Sequence, residues 1–508
     1  MLKVWIATNG APNPNRENLE DWRDAFKENG RRSTSKKTIP LTRPTPSYSL
    51  FSDFRGIHSL PLHTCGLQFL AVTPFKGPDS ARMNPMKLRC CTSTKKPLMA
   101  AFLLLVGICT TPASKAAPPD GNWPQWRGPT RDCRVTGPTW PNSLQGDHLR
   151  ELWRNDMGPS YSGPIVIGDR VFTTETQDKK NEVVRALDRK TGKEIWQASW
   201  PGSLTVPFFA SANGSWIRAT PAFDKGRLYV AGIRDVLVCL NAEDGKELWR
   251  LDLAKHFKSS APSFGFASSP LIDKNHVYVQ AGGGFVKVEK ETGKVVWKSL
   301  ADGGGTFGSA FSSPALATIN GKRQAVVQTR KRLAGIDLES GNELWSQDVP
   351  AFRGMNILTP TIVNNSVFTS SYGGGSFFYN LQASESSSAV KQLWRNKVQG
   401  YMSSPVVIDG FLYLHLRNKR FACIELSTGK ERWITTPFGG YWSMAVQDDR
   451  ILALDERGDL LLIKANPEKF DLIDKRHISD DPTWAHLAVS NGEVFIRTLK
   501  SQIAFSWK

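Results

Sequence analysis

Cysteine and histidine are the residues through which this sequence could bind a metal ion, carry redox chemistry or supply a nucleophile. It contains seven cysteines and eight histidines, but no CxxC or CxxCH pair, and GxSxG, HExxH, P-loop and EF-hand patterns are also absent. Five scattered histidines have no partner at metal-ligand spacing: His256, His276, His415, His477 and His486. We therefore expect neither a metal site nor catalytic residues.

A second set of residues points to binding. Aromatic side chains recur just before, or at the start of, short apolar runs: Tyr161, Trp216, Phe266, Phe311, Tyr401, Tyr441, Trp442 and Trp484, with Met355 and Asn356 at the fifth position. Arg218 and Arg353 lie nearby, and His486 begins the last run. Rings beside guanidinium groups suit a peptide, a sugar or a planar ligand. An alternative stays open, in which these rings only fill the centre of the fold.

The apolar runs lead eight repeated units. Each unit has a small residue, usually a proline, then an apolar run, a turn and a second run, as in SSPLIDKNHVYVQ from Ser268. The proline position is occupied by Pro164, Pro221, Pro270, Pro314, Pro360, Pro405, Met444 and Leu487, at spacings of 39 to 57 residues. Four short strands at such a period predict a β-propeller. The run would be strand A, the innermost strand of each blade, so the aromatic set should surround one mouth of the central channel.

A hairpin motif completes most units, for example ALDRKTGKEIW over residues 186–196. Its glycine stands four residues before the tryptophan and takes the positive φ that such a turn needs. We expect the recurring tryptophans to pack between neighbouring blades: Trp153, Trp196, Trp249, Trp297, Trp345, Trp394 and Trp433. The residue ten positions earlier is usually small, although Lys287 breaks this pattern. The fifth unit reads ESSSAVKQLW without the glycine, which predicts an irregular hairpin.

The chain ends soon after the third strand of the last unit. The missing strand is available upstream as HLRELWRND, residues 148–156, whose Trp153 stands where other units carry theirs. Pairing the two chain ends would remove an open sheet edge. The predicted fold is therefore all-β, an eight-bladed propeller of four-stranded antiparallel blades, over residues 148–508 and closed by an N-terminal strand.

The region before the propeller has the layout of an exported protein. Basic residues precede an apolar run from Leu98 to Ile108, which is too short for a permanent membrane span. We interpret residues 86–116 as a signal peptide and 117–147 as an N-terminal segment. Residues 1–85 lack periodicity and are interpreted as a mis-called or disordered extension. The mature chain is expected to be secreted or periplasmic, with no transmembrane span; peripheral association with a membrane stays open.

Net charge does not indicate a nucleic-acid partner. The formal charge is +18, of which +10 lies in residues 1–116 and +8 is spread over the remainder. No cluster of Lys and Arg interleaved with aromatic residues occurs. We therefore expect no nucleic-acid binding.

These motifs resemble the pyrroloquinoline-quinone (PQQ) propeller repeat, Ala-x-Asp-x-x-Thr-Gly-x-x-x-Trp, which residues 186–196 match fully. Within that superfamily the chain is similar to BamB-like and PQQ-like secreted bacterial proteins, including their N-terminal segment at NWPQWRGPTRD, residues 122–132. The resemblance implies an eight-bladed ring and export, and covers about residues 120 to 508.

Two functions follow from the resemblance. The first is a monomeric scaffold that binds an envelope protein or a small ligand at the channel mouth, in outer-membrane protein assembly, without a cofactor. The alternative is a quinoprotein-like oxidoreductase that uses PQQ with calcium. Such enzymes hold PQQ against adjacent cysteines, but the adjacent pair here, Cys90 and Cys91, lies in the leader.

Overall fold

The computed structural model describes residues 121–381 and 390–508. Within them the chain forms eight four-stranded antiparallel sheets, the blades of a β-propeller. The connections of these ranges carry one α-helix, α1 (Leu253–Phe257), and short 3₁₀ segments at Gly146–His148, Phe208–Asn213, Gly305–Phe307 and Phe352–Gly354. The predicted fold class is confirmed. The predicted leader and upstream extension lie outside the described residues, as does the glycine-free turn of the fifth unit.

The strands of each blade follow one another from A to D. Blade 1 has β2 (Ile165–Ile167), β3 (Arg170–Gln177), β4 (Asn181–Asp188) and β5 (Glu194–Pro201). Blade 2 has β6 (Ala222–Asp224), β7 (Arg227–Gly232), β8 (Val236–Asn241) and β9 (Glu247–Asp252). Blade 3 has β10 (Leu271–Asp273), β11 (His276–Ala281), β12 (Gly284–Glu289) and β13 (Val295–Ser299). Blade 4 has β14 (Ala315–Ile319), β15 (Lys322–Gln328), β16 (Arg332–Asp337) and β17 (Glu343–Asp348).

The second half repeats this arrangement. Blade 5 has β18 (Thr361–Val363), β19 (Ser366–Ser371), β20 (Gly375–Asn380) and β21 (Lys391–Asn396). Blade 6 has β22 (Val406–Ile408), β23 (Phe411–His415), β24 (Phe421–Glu425) and β25 (Glu431–Ile434). Blade 7 has β26 (Trp442–Gln447), β27 (Arg450–Asp455), β28 (Asp459–Lys464) and β29 (Asp471–His477). Blade 8 has β30 (Ala488–Ser490), β31 (Glu493–Arg497), β32 (Ser501–Trp507) and β1 (Leu149–Asp156).

Blade 8 confirms the predicted closure. Strand β1 pairs antiparallel with β32, from Leu149 opposite Trp507 to Asp156 opposite Ser501. The Trp507 indole also donates to the carbonyl of Ser143 at 3.0 Å. A strand from the front of the described region therefore completes the last sheet.

The strand-D tryptophans connect neighbouring blades through a shared contact. Six of them donate the indole N–H to a backbone carbonyl of the next blade, at 2.7–3.2 Å: Trp153, Trp196, Trp249, Trp297, Trp394 and Trp433. Five of these rings lie against the turn glycine of the next hairpin, at Gly192, Gly245, Gly293, Gly341 and Gly429. Those glycines have φ between 71° and 76°, and a Cβ on any of them would meet the ring. Glycine is thus needed both for the turn and for the docking surface.

Two departures from the repeat have local explanations. Trp345 would face the fifth hairpin, which lacks the glycine, and its indole donates instead to Gln324 Oε1 of its own blade at 2.6 Å. The Lys287 side chain is buried opposite Trp297; its ammonium donates to the Leu338 carbonyl at 2.6 Å and lies 5.9 Å from the Trp297 ring centroid. A long side chain can occupy this small-residue position because its charged end reaches the next blade.

Serine and threonine hydroxyl groups of the motifs that lead strand A join the blades near the axis. At each of the seven seams from blade 1 to blade 8, a backbone N–H at the start of one strand A donates to a hydroxyl of an adjacent blade, at 2.9–3.3 Å. The accepting residues are Thr220, Ser269, Ser313, Thr359, Ser404, Ser403 and Ser443. The A strands of neighbouring blades also contact each other, as β2 does β30. These bonds fix the level at which the residues preceding strand A surround the channel.

Candidate binding site at the channel mouth

One side of the mouth is an aromatic stack from three blades. The ring centroids of Tyr161 and Trp484 are 5.0 Å apart, and those of Trp484 and Tyr441 are 6.3 Å apart, with interplanar angles of 23° and 30°. The Arg218 guanidinium lies 5.6 Å from the Tyr161 centroid. Four predicted site residues from blades 1, 2, 7 and 8 are therefore brought together, and all four stay partly exposed.

Hydrogen bonds hold this stack in place. Glu456 accepts the Trp484 indole N–H through Oε1 at 2.8 Å and the Gly440 N–H through Oε2 at 2.5 Å. Arg218 donates to the Gly214 carbonyl at 2.6 Å. Burial raises the pKa of the Tyr161 phenol, while the neighbouring Trp216 side chain and the charge of Arg218 oppose that rise. The phenol therefore stays neutral and can donate or accept a hydrogen bond.

A second group, which we call the phenylalanine patch, consists of Phe208, Phe209, Phe264, Phe307 and Phe311. Centroids are 5.6 Å apart for Phe208 and Phe209, 6.1 Å for Phe209 and Phe264, and 6.0 Å for Phe264 and Phe311. Phe307 follows Thr306, whose hydroxyl lies 2.9 Å from that of Ser263, so its segment adjoins the Phe264 connection. Phe208 is 83% exposed and Phe307 66%. Large apolar side chains at such exposure mark an interaction surface when they are contiguous.

A third group lies between blades 4, 5 and 6. The Tyr401 hydroxyl contacts Met355 Sδ at 3.9 Å, and the Tyr401 and Tyr372 centroids are 5.7 Å apart. The Arg353 carbonyl accepts a 2.6 Å hydrogen bond from the buried Arg330, while the Arg353 side chain is exposed. The Arg330 guanidinium lies 5.3 Å from the Phe311 centroid, which connects this group to the phenylalanine patch.

Four predicted site residues lie elsewhere. Phe266 is fully buried between blades 2 and 3, because Gly265, at φ 85°, turns the chain and leaves Phe264 at the mouth instead. Trp442 is buried between blades 6 and 7, where its indole donates to Asp455 at 2.7 Å. Asn356 is buried and donates to the Arg330 and Val349 carbonyls. These three positions support the walls of the mouth and offer no accessible surface.

His486, the fourth, is buried in the channel against the N-terminal segment. Its ring lies 6.4 Å from Trp123 and 6.0 Å from Trp126, centroid to centroid. That segment crosses the channel beyond the mouth: Trp123 pairs with Val166 of blade 1, and Arg134 forms a bridge to Val446 of blade 7. Residues 121–135 therefore lie across the channel beyond the aromatic rings of the mouth, and we call them the channel floor.

Sequence reasoning missed the outer part of the mouth. Phe208, Phe209, Phe264 and Phe307 lie in connections between blades, whereas the predicted site residues were those next to strand A. The adjacent pair Phe208 and Phe209 within a polar connection was a usable signal, because paired exposed rings are costly without a partner. Glu456 and Arg330 carried no signal, since their positions at the mouth depend on which blades are neighbours.

Comparison with known proteins agrees with this fold. The family model described as outer membrane protein assembly factor BamB matches residues 179–435, just over half of the chain. The chain belongs to the BamB family.

Individual BamB proteins and one enzyme are similar to it. The outer membrane protein assembly factor BamB of Yersinia pestis is 24% identical over 298 residues, which are 56% of this chain and 70% of that protein. A tetrathionate hydrolase of Acidithiobacillus ferrooxidans is 25% identical, over 55% of this chain and 59% of the enzyme. The crystal structure of BamB from Moraxella catarrhalis superposes with a TM-score of 0.52 at 14% identity, and covers 71% of this chain and 98% of that one. The structural match shows the fold alone.

The described part of this BamB-family chain contains three cysteines, all of them in the interior. Cys133, Cys239 and Cys423 are buried, and burial raises the pKa of each thiol, which disfavours the reactive thiolate. In residues 121–381 and 390–508 no group of three or more His, Cys, Asp or Glu side chains could hold a metal ion. The helices of the same ranges include none long and apolar enough to cross a membrane.

Proposed function

We propose that this chain is a non-catalytic scaffold of outer-membrane protein assembly, which binds a protein partner at the mouth of its channel. Family membership supports the biological setting, because its BamB relatives are described as outer membrane protein assembly factors. The phenylalanine patch is the single observation that carries the binding role.

The patch has the composition of a protein-binding hot spot. Burying one fully exposed phenylalanine side chain contributes about 1.5–3 kcal/mol. Phe208, Phe209 and Phe307 are 83%, 47% and 66% exposed, so covering them would contribute about 3–6 kcal/mol before the entropic cost of association. Aromatic anchors next to arginine are typical of binding energy concentrated in a few residues. The exposed Arg353 would add a charge-dependent contact with an acidic partner segment.

A PQQ-dependent oxidoreductase does not fit the donor set. A calcium-assisted quinone site needs several carboxylate and amide oxygens around the ion. The mouth carboxylate Glu456 already accepts the N–H groups of Trp484 and Gly440. The three cysteines in the described ranges belong to different blades or segments and are unpaired. We therefore propose that the mouth works without this cofactor.

Selective removal of the exposed rings tests the scaffold function. We would carry out affinity purification from crosslinked cell envelopes with the full chain and with a Phe208→Ser, Phe307→Ser double variant. The matched control is Ile195→Ser with Leu248→Ser, which alters rim residues that are 45% and 42% exposed. We expect the wild type and the control to recover an outer-membrane assembly component, and the mouth variant to lose it.

Two results would count against the proposal. One is equal recovery of that component by the mouth variant and the wild type. The other is a quinone absorbance change when purified protein is mixed with PQQ and calcium, accompanied by oxidation of an alcohol, which would favour the oxidoreductase.

A further inference from the structure

Two buried arginines on the channel floor have only neutral hydrogen-bond partners. Arg127 donates Nε to Cys133 Sγ at 2.8 Å and Nη2 to the Pro405 carbonyl at 2.6 Å. Arg131 donates Nη1 to the Pro270 carbonyl at 2.8 Å and to Gln125 Oε1 at 3.2 Å, and Nη2 to the Ser269 carbonyl at 3.3 Å. Within residues 121–381 and 390–508, neither guanidinium forms an ion pair with a carboxylate.

Both charges lie against the same aromatic ring. Both guanidinium groups lie over the Trp126 ring, at 5.4 Å for Arg127 and 5.5 Å for Arg131 from its centroid. Burial, and then the charge of Arg127, lower the pKa of Arg131 to about 9. Burial lowers the pKa of His486 to about 3, so the nearby imidazole is neutral and adds no further positive charge. A buried charge without a partner of opposite sign is strongly unfavourable.

The same segment also leaves a donor unused and holds a strained backbone. Arg131 is buried, with 9% of the residue exposed, and its Nε has no hydrogen-bond partner. Arg127, Arg131 and Cys133 all have left-handed φ values, of 62°, 60° and 70°. Such conformations in residues other than glycine cost energy and concentrate at ligand-binding sites.

We propose that residues 126–131 form an anion site in the axial channel, where a small oxyanion of the sulfate, phosphate or carboxylate class binds to Arg131 beside Trp126. Guanidinium groups are suited to this ligand because their planar N–H donors match the spacing of oxyanion oxygens. Arg131 Nε supplies one donor directly. The anion would provide the negative charge that the protein itself does not place there, and would stabilise the segment across the channel.

Thermal unfolding of the full chain in sulfate, against sodium chloride of equal ionic strength, tests the site. We expect a melting temperature that rises with sulfate over the millimolar range and beyond the chloride effect. Arg131→Gln should raise the dissociation constant for sulfate at least tenfold. Arg134→Gln, a more exposed cation in the same segment, should change it less than twofold. Equal melting curves in the two salts, or equal losses in both variants, would overturn the proposal.

A direct measurement covers the case in which Arg131→Gln does not fold. Crystals of the wild-type protein grown in bromide should show an anomalous peak within hydrogen-bonding distance of Arg131 Nε. The wild-type fluorescence should also change on titration with sulfate, and Trp126→Phe should remove that change. Crystals without such a peak, from protein whose fluorescence does not respond to sulfate, would show that the arginines only clamp the segment to the backbone.

Discussion

A glycine in the second hairpin gives the sharpest test of how the blades are joined. Gly245 has φ 76°, and a Cβ added there would lie 2.5 Å from Trp196 Cε3 of blade 1. Alanine at this position must adopt a left-handed conformation, which costs about 1–2 kcal/mol. It must also displace the indole, which weakens the 3.1 Å hydrogen bond from Trp196 to the Ala242 carbonyl.

The total adds the cost of the left-handed conformation to the losses of the hydrogen bond and of indole packing. Loss of the hydrogen bond costs about 1 kcal/mol, and partial loss of indole packing about 1–2 kcal/mol more. Gly245→Ala should therefore lower the free energy of unfolding by about 3–5 kcal/mol. The matched control is Gly226→Ala in the same blade, where φ is 77° and nothing lies within 4 Å of the added Cβ. Its loss should be about 1–2 kcal/mol.

Urea unfolding followed by circular dichroism would measure both variants, with the m-value as the check that unfolding stays cooperative. The reasoning predicts that Gly245→Ala is less stable than Gly226→Ala by about 2–3 kcal/mol. Equal losses in the two variants would refute it, because the turn conformation alone would then account for the glycine.

Two further predictions concern closure and pH. Deleting residues 148–156 removes β1 and uncovers the edge of β32, so the protein should aggregate in size-exclusion chromatography. The control Arg150→Ala, on the exposed face of the same strand, should stay monomeric. A deletion variant with an unchanged melting temperature would contradict the closure. Glu182 accepts the Ile233 N–H at 2.6 Å and the Trp200 indole N–H at 2.7 Å, and burial raises its pKa from the ordinary 4.5 to about 7. The folded protein then holds this proton more tightly than the unfolded chain, so stability should fall by up to about 3 kcal/mol as pH rises from about 4.5 to 7. Unfolding free energies at pH 5 and 8 should differ less for Glu182→Gln than for the wild type, and equal differences would show that Glu182 does not titrate in this range.

Sequence patterns predicted the parts of the fold that repeat. The strand-D tryptophans and the turn glycines were each visible along the chain, and so was the unpaired strand around Trp153. Their mutual contact was not visible, because it joins the glycine of one blade to the ring of the preceding blade. Trp345 shows that the contact of the indole with the next blade depends on this glycine. The next unit lacks the glycine, and the Trp345 indole forms its hydrogen bond within its own blade.

The channel mouth was predicted only in part. Tyr161, Trp484 and Tyr441 come together because strand A repeats the same register in every blade. Phe266 was misplaced because one residue with positive φ changes which side of the chain reaches the mouth. The floor made by residues 121–135 could not be predicted, since an irregular segment has no period and its path is set by contacts with distant blades.

Photo-crosslinking at position 307 tests the central claim, that a protein partner covers the phenylalanine patch. A photoreactive amino acid would replace Phe307 in the full chain, and in a parallel protein would replace Leu248 on the outer rim. The account predicts a crosslink from position 307 to an outer-membrane assembly component, identified by mass spectrometry, and none from position 248. A crosslink to that component from position 248 and not from position 307 would contradict it.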